Sequence, residues 1–264
     1  MKMSRVFFAV LSVFCALMMT GCNKARLQSL GANPVPTFHT PRGADSEIGT
    51  IAVSAEGYVV PLATGRNVDD ILGGGGDVAL MYRFGGSLSP LFITGAVGGQ
   101  GGKVHFNCDD ETPRCVDSYE TWLRSDAGED SYSFWNVQEK VLLGADFKLG
   151  SRVQLGLGGG ILFYQGGGEY EDARDDLDKL GWANNLDEKM DFYPMTATWI
   201  SVGLGSENHL GNLKLEETYM LASDWTKMIY ATDVGYYHPS GFQVGLMLST
   251  QMSPVIHGGK TFVF

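Results

Sequence analysis

The sequence predicts an all-β fold, an antiparallel up-and-down transmembrane β-barrel of about ten strands, or eight if the first and last runs do not close it. Three observations predict it. From Phe134 to Gln165 two alternating runs flank a tight turn at Leu149-Gly150-Ser151-Arg152. Each run lasts about 14 residues, against roughly 5–6 for a globular strand and about 9–11 for a tilted membrane-spanning one. The connections after Phe84, Lys148, Leu204 and Tyr237 are short, whereas those after Val60, Gly98, Gln165, Leu221 and Ser249 are longer or more polar. That asymmetry is expected of barrels with short turns on one rim and long loops on the other.

The elements follow in order. Ile48 to Val60 alternates, with Ile51, Val53, Ala55 and Val59 against Ala52, Ser54, Glu56 and Tyr58. Gly73 to Gly76 reads as a flexible turn, since neither a Lys-Ser/Thr pair nor a helix follows to make it a phosphate loop. Asp77 to Phe84 is a strand with Val78, Leu80, Tyr82 and Phe84 on one face and Asp77, Ala79, Met81 and Arg83 on the other. Leu91, Ile93 and Val97 carry the next strand, and a polar connection runs from Gly98 to Ser133. In the central hairpin Trp135, Val137, Val141, Leu143, Ala145 and Phe147 share a face that also holds Glu139. Opposite lie Asn136, Gln138, Lys140, Leu142, Gly144, Asp146 and Lys148. Val153, Leu155, Leu157, Ile161 and Phe163 form the apolar face of the return run.

A second acidic connection, Gly166 to Lys189, holds room for a short helical turn at Asp175 to Leu180. Phe192 to Leu204 is extended, with Pro194 expected near its start, where its missing N–H is not needed. Leu213 to Leu221, Met228 to Tyr237 and Phe242 to Ser249 alternate in the same way. The chain ends in a short run at Phe262-Val263-Phe264. The polar face offers Glu56, Asp77, Arg83, Lys140, Asp146, Lys148, Lys214, Glu216 and Asp233 as lumen-facing charges. Inward glycines would make room for long charged neighbours.

The first residues have a different character. Lys2 and Arg5 precede an apolar stretch, Val6 to Met19, of signal-peptide length and too short to span as a helix. It ends in Leu17-Met18-Met19-Thr20-Gly21-Cys22, which resembles the bacterial lipobox, with Met19 in place of the usual Leu. The resemblance implies a signal peptide over 1–21, a lipid on Cys22 and, with Asn23 rather than Asp following, no retention at the inner membrane. Residues 22–46 then read as a Pro- and Gly-containing tether, and 47–264 as the barrel.

The formal charge is -11, and removing Lys2 and Arg5 with the leader makes it -13. That acidity excludes nucleic acid as a partner, since phosphate binding needs clustered Lys and Arg. Cys108 and Cys115, seven apart in an exported chain, are expected to form a disulfide. They lack the four ligands of a zinc site. No nucleophile or metal-protease motif appears, and no cofactor is called for. Of the five histidines, His105 and His257 are expected at the outer rim near loop carboxylates; even so, the chain reads as a non-enzyme. The sixteen acids of the two long loops are a place for divalent cations. Asp172 to Asp178 lacks EF-hand spacing, so a solvated loop is the plainer reading.

The whole of 47–264 resembles a small bacterial outer-membrane β-barrel of the OmpA/OmpW kind, by pattern more than by motif. Its sharpest point is the terminal Phe264 with Phe262 two residues before it. These residues resemble the signal read by the barrel-assembly machinery. The resemblance implies that machinery and outer-membrane lipid as partners, with a structural, surface-exposed or minor-channel role. Alternating strands also fit a lipid-anchored soluble binding module, sandwich- or lipocalin-like, with its apolar face inward.

Overall fold

The computed structural model describes residues 49–60, 69–106, 131–179, 190–205, 208–221, 228–249 and 254–264. The leader, Cys22, the tether, the Cys108–Cys115 pair and the acidic stretch between β3 and β4 lie outside the described residues. Ten strands, β1 (Thr50–Val60), β2 (Asp69–Arg83), β3 (Leu91–Phe106), β4 (Ser131–Lys148), β5 (Val153–Gly167), β6 (Met190–Gly203), β7 (Asn212–Leu221), β8 (Met228–Tyr237), β9 (Phe242–Ser249) and β10 (Val255–Val263), pair antiparallel with their sequence neighbours. β1 pairs with β10 and closes the ring. Closure gives each of the ten strands a paired neighbour on both sides, and it settles the count at ten rather than eight.

Pairing direction sorts the side chains. The outward set carries Val78, Leu80, Val97, Val141, Leu143, Leu157, Val234, Val244 and Leu246, all exposed around one closed sheet. No second layer of the described residues covers them, so a sandwich is excluded, and the apolar face is turned the opposite way from a lipocalin's. β9, the shortest strand at eight residues, rises ~21 Å at a tilt of ~40°, close to the ~25 Å apolar band of outer-membrane barrels. β4, at 18 residues, is more than twice as long and extends further on the long-loop side, as do β2, β3 and β5.

Several expectations are corrected. Gly73 to Gly76 is not a turn. It lies within β2 and pairs with both β1 and β3. A Cβ at Gly75 would stand 2.2 Å from the Gly99 carbonyl oxygen. The run is glycine because the strands press together there, and a sequence reader sees only the absent side chains. β3 likewise continues past Gly98 to Phe106, paired with β4 from Ser131 onward. The terminal run is a full strand, paired on both sides. Pro194 lies inside β6, opposite Ile161. The β6–β7 ladder starts at Met195, one residue later, which is why the proline is tolerated.

The expected turn at Asp175 to Leu180 is an 11-residue helix, α1 (Glu169–Lys179), with Glu169, Glu171 and Asp172 in its first turn and Lys179 in its last. That charge order suits the helix dipole. α1 packs against the ends of β4 and β5. Its Tyr170 and Ala173 join Tyr58, Val60, Ile71, Val104, Tyr132 and Phe134 in an apolar cluster at the long-loop mouth. Glu169 Oε2 accepts hydrogen bonds from the Ser133 N–H (3.0 Å) and hydroxyl (2.7 Å). Those two bonds hold the Glu169 carboxyl below the usual carboxylate range.

Candidate functional site

The chemistry-bearing side chains converge inside the ring. Of the nine lumen candidates, Glu56, Asp77, Arg83, Lys140, Asp146, Lys214, Glu216 and Asp233 are buried. Lys148 shares their parity but stands exposed at the end of β4, where the short-turn rim opens to solvent. His257, expected at the outer rim, is inside: it is 3% exposed and packed among the charges. The sequence held the signal for this. Counting back by twos from Phe264 puts Phe262, Lys260, Gly258 and Ile256 outward, and His257 therefore inward. His105 is exposed near the end of β3, away from that group.

The lumen side chains reach past their nearest neighbours and tie strand to strand but one. At the short-turn end Asp146 on β4 accepts from Arg83 on β2 and, at 2.8 Å, from the Trp199 indole N–H on β6. Trp199 can do so because Gly156 lies between them on β5, where a Cβ would fall 2.0 Å from the indole nitrogen. Phe92 completes the group, with the Arg83 guanidinium 5.3 Å above its ring and the Trp199 ring 5.8 Å away.

Across the closing strands, His257 Nε2 on β10 donates to Asp233 Oδ1 on β8 at 2.7 Å. It leans over Gly245 of β9, where a Cβ would stand 2.3 Å from that nitrogen. The other ring nitrogen, Nδ1, lies 3.8 Å from Glu56 Oε2 on β1. Glu56 also accepts from the Gln243 amide on β9. Lys214 donates to Glu216 at 2.7 Å and lies 5.0 Å from the Tyr237 ring centroid. Opposed charges and donors offset the large desolvation cost of burying each group.

The rest of the lumen is greasy, which alternation alone did not reveal. Leu142, Leu162, Tyr164, Tyr193, Met195, Trp199 and Met220 pack inside with Phe92 and Met81. The inward glycines therefore make room for aromatic and imidazole rings as much as for charges. Almost wholly buried, these side chains leave a filled interior among the described residues, not a wide passage. A groove of about 340 Å³ lies at the short-turn rim instead, lined by Tyr237, His238, Phe242, Lys260 and Phe264 among others. On the outer wall beside it the Lys260 ammonium sits 4.5 Å and 5.3 Å from the Phe242 and Phe262 ring centroids. That is the posture of a snorkelling interfacial residue. Among the described residues no cluster of three His, Cys, Asp or Glu is arranged to hold a metal.

No known protein family matches the sequence, and no curated protein matches it either. Solved structures similar to the chain include the outer membrane protein OprG from Pseudomonas aeruginosa, 10% identical with TM-score 0.38, covering 84% of this chain and 98% of that one. An outer membrane channel from Pseudomonas putida F1 is 9% identical with TM-score 0.38, covering 86% and 100%. The beta domain of the Bordetella autotransporter BrkA is 7% identical with TM-score 0.41, covering 82% and 100%.

Proposed function

We propose that the chain is a bacterial outer-membrane β-barrel, anchored additionally by lipid on Cys22, that acts as a filled structural and surface-presenting barrel and performs no catalysis. The observation that carries this is the pairing of faces: a continuous outward belt of exposed apolar side chains around a closed sheet, with eight of nine predicted charges buried within it. A belt of that extent in water would expose far more apolar surface than soluble monomers tolerate. Strands that satisfy every backbone group by closure are what hydrocarbon requires. The filled lumen favours presentation of the long-loop rim and α1 over conduction; the minor-channel role requires a passage through packed side chains.

Phe262 and Phe264, exposed at the end of β10, are the residues that the barrel-assembly machinery would read, and the acidic loops are where divalent cations would collect. Cys108 and Cys115 would close a small disulfide loop in that long-loop region. The decisive experiment is gel mobility of detergent-extracted protein with and without boiling, followed by planar-bilayer recording. A compact unboiled band with no steady conductance is the expected result. Extraction of Cys22→Ala protein without detergent would overturn the membrane reading, and stable open-channel currents would overturn the filled one.

A further inference from the structure

We propose that Asp233, His257 and Glu56 form a carboxylate–imidazole–carboxylate site inside the lumen that binds one exchangeable proton and uses it to clamp the closing seam of the barrel. The three residues come from β8, β10 and β1 and are all at least nine-tenths buried. With Nε2–H committed to Asp233, a neutral ring would present the Nδ1 lone pair to the Glu56 carboxylate at 3.8 Å. Among the described residues Nδ1 has no hydrogen-bond partner, nor has the second oxygen of Asp233. A proton taken from solvent and held between Nδ1 and Glu56 turns that repulsive approach into an attraction.

The surroundings point the same way. Asp77 on β2 stands directly opposite Glu56 in the register, and opposed carboxylates favour retention of a proton. Among the described residues, Tyr58 on β1, Lys140 on β4, Lys214 and Glu216 on β7 and Tyr237 on β8 are the other ionisable groups facing the triad, and Gln243 is its neutral neighbour on β9. The strands bring five buried carboxylates (Glu56, Asp77, Asp146, Glu216, Asp233) to the lumen against three Lys or Arg (Arg83, Lys140, Lys214). A proton at His257 reduces that excess where the first and last strands meet. On release to solvent as pH rises, β1 and β10 stay joined by backbone bonds, but the Glu56 carboxylate then faces the lone pair of a neutral imidazole instead of an N–H donor.

The test follows thermal unfolding of the full detergent-solubilised protein by β-sheet circular dichroism, a readout that does not depend on what lies outside the barrel. For the wild type the midpoint is expected to be higher at about pH 6 than at about pH 9, by roughly 5 °C. His257→Gln, which keeps a neutral hydrogen-bonding side chain and cannot take up the proton, should lower the midpoint and flatten that step. An unchanged step in His257→Gln, or no step in the wild type, overturns the proposal. Should the variant fail to assemble, imidazole nitrogen resonances of the wild type decide. A buried ring with protonated or strongly hydrogen-bonded Nδ1 at about pH 6 supports the site; a free Nδ1 lone pair there overturns it.

Discussion

The Trp199 indole N–H reaches 2.8 Å to Asp146 Oδ1 across an intervening strand whose residue at that level is Gly156. The bond exists because the middle strand contributes no side chain. Gly156→Ala is therefore expected to push the indole aside, at about 1–3 kcal/mol for overpacking plus the loss of a charge-assisted hydrogen bond. Trp199→Phe keeps most of the volume and removes only the donor, so it should cost less than Gly156→Ala. Urea unfolding in micelles, followed by circular dichroism, ranks the two; a larger loss for Trp199→Phe would mean that the glycine is not what makes room.

Asp146 has a second donor in Arg83, and both side chains are almost wholly buried. Arg83→Met should destabilise by about 3–5 kcal/mol, because it strands a carboxylate in the lumen. The double change Arg83→Met with Asp146→Leu removes both charges and should recover a large part of that loss, although the indole then lacks its acceptor. The same unfolding assay checks the order. Equal destabilisation by the single and double changes would show that Arg83 matters for its packing over Phe92 and not for its charge.

Much of this architecture was legible from alternation, because hydrocarbon or water outside a sheet and packed side chains inside select residues on a period of two. Ten strands, the turn at 149–152 and the parity of Glu56, Lys140 and Lys214 all follow from that period. Alternation fails where the outward residue is not apolar or the inward one not polar. Glycine carries no facial preference, so Gly73–Gly76 and Gly98–Gly102 concealed the upper halves of β2 and β3. Leu142 and Trp199 keep the parity of the polar face, but the apolar packing they make inside the ring is visible only when the strands are brought together. His257 was hidden because Gly258, Gly259 and Lys260 disguised β10 as a tail. The reach of one strand's side chain to the next but one is a property of three strands together, and only the register displays it.

At the long-loop mouth the Glu169 carboxylate fixes the start of α1 to Ser133, and its depressed pKa sets the sign of a pH effect. A group whose folded pKa lies below its unfolded value contributes above the unfolded pKa and loses that contribution as pH falls through the folded one. α1 should therefore stay seated at neutral pH and loosen only in acid, below the ordinary carboxylate range. Ser133→Ala leaves the backbone donor and removes the hydroxyl, so loosening should begin at a higher pH. Limited acid-protease cleavage around Gly168 as pH is lowered reports it. Identical cleavage profiles for wild type and Ser133→Ala would show that the hydroxyl bond contributes nothing to the latch.

The sharpest test of the medium outside the wall compares two exposed leucines. Leu143 on β4 is 55% exposed and Leu210 in the β6–β7 turn is 53% exposed. In water the two would tolerate lysine about equally, since neither displaces a packed neighbour. In a bilayer they differ. Leu143 lies five residues above the end of β4, ~13 Å along the barrel axis at a tilt of ~40°, and so near the middle of the apolar band. Lysine there costs about 2–4 kcal/mol and falls to about 0–1 near an interface. Leu143→Lys should accordingly depress the folding free energy measured in lipid vesicles by that larger amount, with Leu210→Lys close to wild type. Equal and small effects would place water against β4, and the outward greasy belt would then need a protein partner to cover it.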